Sequence, residues 1–216
     1  MNNEMAQERK LTQAEIKRSE RFGKKAEALV NEGYERTDLI VDIIKANILS
    51  VLVMLPFVLV IAVPYLLRNG IPERPSISTY LLYLALFIFV TMAELALHEG
   101  IHGLVWGLLN KEGFSAIEFG LIKEYLTPYC YCGSPLLRWQ YILGSVMPTV
   151  VLGFIQGLIA ILTGSFLLFV LSVFLMIGGG GDFLITFMLL FYRKKKKELI
   201  LMDHPTQLGS VLFEKD

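Results

Sequence analysis

Charged residues are scarce in this 216-residue chain, at 19% against 54% hydrophobic. That balance excludes a disordered, collagen-like or nucleic-acid-binding protein, and it is too apolar for an ordinary soluble domain. Cysteine is scarcer still: Cys130 and Cys132 are the only two. Residues one apart rarely reach disulfide geometry, so a stapled secreted fold is excluded as well. Neither sign of charge is in excess, with 20 Lys and Arg against 20 Asp and Glu, so any information lies in where the charges sit. A cleavable leader is not expected, because no apolar core of roughly 7 to 15 residues follows a short basic start. The N-terminal segment is therefore expected to stay on the chain.

What the chain has instead is long apolar runs separated by charge. Residues 1–45 hold nine Lys/Arg and nine Asp/Glu among a few apolar positions such as Ile16, Phe22 and Leu29, and read as a charged helical N-terminal tail. Ala46 to Leu67 is a 22-residue stretch without a charge, enough at about 1.5 Å per residue to cross a hydrocarbon core of about 30 Å. Pro56 and Pro64 fall inside it and are tolerable where neighbouring helices take up the freed carbonyls. Further runs cover 79–110, 139–162 and 165–192, the last broken by Gly178 to Gly181 and ended by Arg193 and Lys194 to Lys197. Between the second and third, Lys111 to Pro135 is mixed in polarity and alternates over Phe114 to Ile122, as a short strand or hairpin would. The expected fold class is an all-α membrane protein. It comprises a four-span domain over 46–192, a strand-like segment between the second and third transmembrane helices, and a basic tail over 193–216.

Four spans put both termini and the 111–135 segment on one side. That side carries eighteen Lys/Arg and the other two, the asymmetry expected of a multi-pass cell-membrane protein with cytoplasmic termini in contact with membrane lipids. Both cysteines then face a reducing compartment.

Chemistry concentrates in the second run. His98-Glu99-Gly100-Ile101-His102 is a His-Glu-x-x-His pattern that uses two of the chain's three histidines. On a helix, residues four apart lie one above the other, so both imidazoles can reach one metal ion with the glutamate nearby as a base. Glu94 shares the stripe and reads as a structural carboxylate before a ligand. Ionisable groups at membrane depth cost about 2.5 to 3.5 kcal/mol each near a helix centre, so several together call for a compensating role.

Two histidines do not complete a catalytic zinc site, which takes three protein ligands. Asp182, the only acidic residue of the fourth run, is the leading candidate. It lies ten residues from Tyr192, and His98 lies twelve from Asn110, so both sit about 15 to 18 Å from the cytoplasmic ends of their spans. The alternative for Asp182 is a helix cap at the glycine break. His204, in the C-terminal tail, is the rival ligand. Cys130 and Cys132 form a single Cys-x-Cys, too weak a signal to include.

The His98 to His102 motif in a span, the strand-like segment after it, Pro148 within Gly144-Ser145-Val146-Met147-Pro148, and the late Gly181-Asp182 resemble the site-2 protease group of membrane zinc metalloproteases. The stretch from about Ala93 to Gly209 more closely resembles a bacterial family of unknown function described as zincin peptidases. The resemblance implies zinc as cofactor. In site-2 proteases the third ligand is an aspartate of a late core helix, usually within Leu-Asp-Gly, where this chain has Gly181-Asp182-Phe183.

The expected function is a zinc-dependent, membrane-embedded metallopeptidase cutting membrane or membrane-proximal proteins or peptides, with zinc on His98, His102 and Asp182 and Glu99 as general base. The alternatives are a non-catalytic membrane scaffold or sensor that keeps the zinc site, and a metal or solute transporter, which a single copy without an inverted repeat disfavours.

Overall fold

The computed structural model describes residues 12–122 and 127–216. Residues 1–11 of the N-terminal tail and 123–126 of the segment after the second apolar run lie outside the described residues.

The apolar runs form long helices even though Pro56 and Pro64 lie inside the first of them and Pro148 inside the third. Helix α1 spans Gln13–Asn31, α2 Ile43–Asn69 and α3 Ile77–Leu109. The third long rod is composite. It consists of α4 (Arg138–Pro148), a π-helical segment (Thr149–Ile155) and α5 (Gln156–Thr163), followed by α6 (Phe166–Gly178) and α7 (Gly180–Phe191). Three rods, Ile44–Asn69, Ile77–Leu109 and Arg138–Thr163, are long and apolar enough to cross a bilayer, and α6 with α7 meets the same test as a pair bent by 47°. The bend falls at the glycine run, where the backbone has no side chains to hold it straight.

Helix α3 is about 50 Å long at 33 residues, more than a hydrocarbon core needs. Its buried positions, Thr91, Glu94, His98, His102 and Trp106, recur every three or four residues and define one face. The seam they make packs on the composite rod and on α6.

The all-α expectation is corrected by two antiparallel sheets. Between α3 and α4 the chain folds back as a hairpin of β2 (Ile117–Ile122) and β3 (Thr127–Cys132). The second sheet has the order β1-β6-β5-β4, from β1 (Glu35–Ile40), β4 (Leu136–Leu137), β5 (Glu198–Asp203) and β6 (Gly209–Lys215). Three of its strands come from the charged ends of the chain and β4 from the segment before α4, and Leu201, Met202, Val211, Leu212 and Phe213 are fully buried. Charge at those ends does not mean solvation. The Glu214 carboxylate accepts from the Tyr192 hydroxyl at 2.9 Å and from the Lys195 amide at 2.7 Å.

Helix α1 starts at a capping box, with the Thr12 amide donating to Glu15 at 2.8 Å and the Glu15 amide returning to the Thr12 hydroxyl. It buries Phe22 and Ala26 against Met202, Val211 and Phe213. Its basic face grips the hairpin and the turn before it: Arg21 pairs with Glu118 at 2.7 Å, Lys25 with Glu112 at 2.6 Å, and the Arg18 guanidinium lies over the Tyr129 and Tyr131 rings. A second core, Trp106, Cys132, Leu136, Tyr141, Leu189, Leu199 and Leu201 among its members, joins both sheets to the ends of α3, α4 and α7. The helices and the sheet layer are thereby packed as one unit around the C-terminal end of α3.

Candidate metal centre

His98 and His102 lie one turn apart on the buried face of α3, at 7% and 3% exposure. Asp182 sits in the first turn of α7, where a negative charge is favoured by the helix dipole. Its Oδ2 is 3.3 Å from His98 Nε2 and 3.4 Å from His102 Nε2, and the two Nε2 atoms are 3.2 Å apart. Ligand bonds of about 2.0 to 2.1 Å in a tetrahedron place donors about 3.3 Å from one another. The triangle therefore has the edge lengths of one face of a four-coordinate zinc site.

The surroundings fix those donors. A carbonyl oxygen can only accept, so the 2.8 Å contact between His102 Nδ1 and the Gly144 carbonyl is an Nδ1–H donation. That tautomer leaves Nε2 with its lone pair toward Asp182 and His98. The Trp106 indole stacks on the His102 ring at 4.9 Å and 15°, and its N–H donates to the Tyr141 carbonyl. Gly144 must lack a side chain, because a Cβ there would run into the Trp106 indole. Gly179 is equally constrained, since a Cβ would meet the Thr149 hydroxyl and come to 3.3 Å from His98 Cε1. Electron-rich donors gathered this closely, two imidazole nitrogens and a carboxylate, repel one another unless a cation or proton is shared among them. The donor set fits zinc, whose preferred partners are histidine nitrogen and carboxylate oxygen.

Glu99, half-buried, is turned off the triad stripe. It borders a cavity of about 100 Å³ with Leu95, His98, Pro128, Phe174, Leu175 and Gly178. His98 thus belongs to both the triad and the cavity wall. Glu94 is buried one turn deeper, beside Gln156.

His204 is not brought to the triad. It lies in the turn between β5 and β6, where Nδ1 accepts the Thr206 and Gln207 amides at 3.3 and 2.9 Å and the ring faces Phe22. The sequence offered no way to tell that turn-capping use from ligation. Cys130 and Cys132 stand on β3, and burial pushes both thiols up, Cys132 to about 12. They are neutral near pH 7. The Cys132 thiol points to the Ser134 carbonyl at 3.7 Å.

Sequence reasoning missed Asp203. Half-buried at the end of β5 against β3 and α4, it accepts the Tyr141 hydroxyl at 2.6 Å and the Cys132 amide at 2.8 Å, and desolvation raises its carboxyl to about 6. Its neighbour His204 carried the only chemical signal in that stretch, and an isolated aspartate in a polar tail has none.

Residues 91–197 match a protein family described as "Putative zincin peptidase", a description that implies zinc. The matched segment contains His98, Glu99, His102 and Asp182. No curated protein and no solved structure matches the chain.

Proposed function

We propose that this protein is a multi-pass membrane zinc metallopeptidase of the site-2-protease type, in which His98, His102 and Asp182 hold the ion and Glu99 is the general base. The observation that carries the reading is the donor triangle with sides of 3.2 to 3.4 Å, built from two residues of a His-Glu-x-x-His helix and a carboxylate 80 positions downstream of the second. Zinc, when bound, supplies a Lewis acid that polarises a carbonyl and eases deprotonation of water. Glu99 borders the cavity where a scissile bond would lie; its carboxylate takes a proton from the attacking water and returns it to the nitrogen of the leaving amine. Overall, one C–N bond breaks, one C–O bond forms and one water is consumed.

The cavity is walled mainly by Leu95, Phe174 and Leu175, with Pro128 of the hairpin at its edge. An apolar wall of this kind suits side chains of a membrane or membrane-proximal substrate. The Lys/Arg asymmetry supports cytoplasmic termini, and the bent pair of α6 and α7 supplies the fourth crossing. Purified protein in lipid nanodiscs, offered a single-span reporter, should cut it, and Glu99→Gln should abolish cutting while zinc content stays at wild-type level. Undiminished cleavage by that variant would remove the mechanism.

A further inference from the structure

The buried face of α3 does not end at the metal triad. Glu94 lies one turn from His98 and Thr91 about one turn further, roughly 6 and 10 Å along the axis, away from the sheet layer. Opposite them stand Thr149 and Gln156, which bracket the π-helical segment of the composite rod. Thr149 is fully buried, and its hydroxyl shares with His98 the space over Gly179. Gln156 lies beside Glu94. The result is one continuous polar seam from His98 down through membrane-depth helices.

Along this seam four polar atoms, Thr91 Oγ1, Glu94 Oε2, Thr149 Oγ1 and Gln156 Nε2, are buried without a hydrogen-bond partner among the described residues. Thr186 Oγ1, one turn along α7 from Asp182, is in the same state. Several other polar side chains of these helices are satisfied: Ser172 donates to the Phe169 carbonyl, Tyr65 to that of Gly164 and Asn69 to that of Ile161. Five of the eight such atoms among the described residues therefore lie along this seam or one turn from Asp182, the others being Arg18 Nε, Arg138 Nε and Ser210 Oγ. Burying such groups unpaired is costly, and most so where no bulk water can reach.

Their chemistry says what pairs with them. A cation would suit the oxygens of Thr91, Glu94 and Thr149 but not the Gln156 amide hydrogens, which need an acceptor. Water both donates and accepts, and buried waters characteristically bridge groups of this mixed kind. The π-helical turn, wider than an α-turn and recurrent at functional sites, provides local slack in the wall where the waters would sit.

We propose that the seam between α3 and Thr149–Gln156 is a water-binding site: a short file of ordered waters held by Thr91, Glu94, Thr149 and Gln156, reaching the metal triad along the buried face of α3. The delivery role rests on the peptidase reading. Each bond cut consumes one water, and a substrate filling the apolar cavity would close that approach, whereas the seam meets His98 through Thr149, which does not line that cavity. The existence of the site does not rest on that reading.

The test is hydroxyl-radical footprinting of the protein in nanodiscs, in a Glu99→Gln background so that turnover plays no part. Met176 is fully buried and packs against Gly153 inside the π-helical segment, and Met202 is fully buried in the sheet layer. Radicals formed from bound water should oxidise Met176 severalfold more than Met202. The excess should vanish in Glu94→Leu/Gln156→Leu and shrink in the milder Thr149→Val. Equal labelling of the two methionines before substitution, or a Met176 excess untouched in Thr149→Val and the double variant, would overturn the site. So would Met176 labelling that changes when sodium replaces choline, the mark of a cation. With Glu99 restored, Thr149→Val should lower kcat for the reporter and leave KM unchanged. A higher KM at unchanged kcat would overturn the delivery role while leaving the footprint to stand by itself.

Discussion

His102 donates from Nδ1 to the Gly144 carbonyl at 2.8 Å, and this one bond decides which face of the imidazole is available to a metal. The carbonyl is held at that distance because Gly144 lets α4 approach Trp106, which in turn stacks on His102.

Gly144→Ala is accordingly expected to weaken metal binding without touching a ligand. The added methyl displaces the indole, and the hydrogen bond that sets the tautomer lengthens. Losses of this orienting kind cost about 10- to 100-fold in affinity. Competition against a chromophoric zinc chelator measures it, and an affinity equal to wild type would refute the orienting role.

Asp182 and His204 make opposite predictions. Asp182→Asn keeps the shape but removes the charge that faces both Nε2 atoms, so zinc should fall from about one per chain to well below. His204→Ala removes a turn cap remote from the triad and should leave the zinc content unchanged. Metal analysis of the two purified variants decides between them, and loss of zinc in the His204 variant would favour the rival ligand.

Stability should depend on pH through Asp203. Burial raises its carboxyl to about 6, against about 3.9 when unfolded. The folded state therefore holds the proton more tightly. Its contribution is fully present below about pH 4 and is lost as pH rises through about 6, on the order of 2 to 3 kcal/mol in all. Thermal unfolding across pH 4 to 7 should show this fall in wild type and a flatter profile in Asp203→Asn, which keeps one acceptor oxygen, for the Cys132 amide, and turns an NH2 toward the Tyr141 hydroxyl oxygen. An identical slope in both would assign the pH dependence elsewhere.

Local spacing made part of this legible. His98 and His102 share a helical face because they are four apart, and counting residues from Asn110 and from Tyr192 put Asp182 at the same level, where the structure brings the three together. The glycine run showed that the late helix was broken, but the 47° bend between α6 and α7 was not readable from composition. The four-stranded sheet was hidden for a different reason. Glu35 pairs with Glu214 and Ile40 with Gly209, partners far apart in sequence, and their short apolar stretches are diluted by charges that pair only in the folded chain. Asp203 was invisible because its importance comes from burial between three elements, none adjacent in sequence.

The β1–β6 pairing also constrains how the chain can thread a bilayer. Two strands bonded along six positions occupy the same compartment, and β4, bonded to β5 in the same sheet, joins them there. Between β1 and β4 lie α2 and α3; between β4 and β5 lie the composite rod and the α6–α7 pair. A chain leaving and returning to one compartment traverses the barrier an even number of times. On the proposed reading, once the composite rod has gone across, parity obliges the bent pair to come all the way back, so its kink is a flaw within a full passage and not a hairpin that turns round halfway.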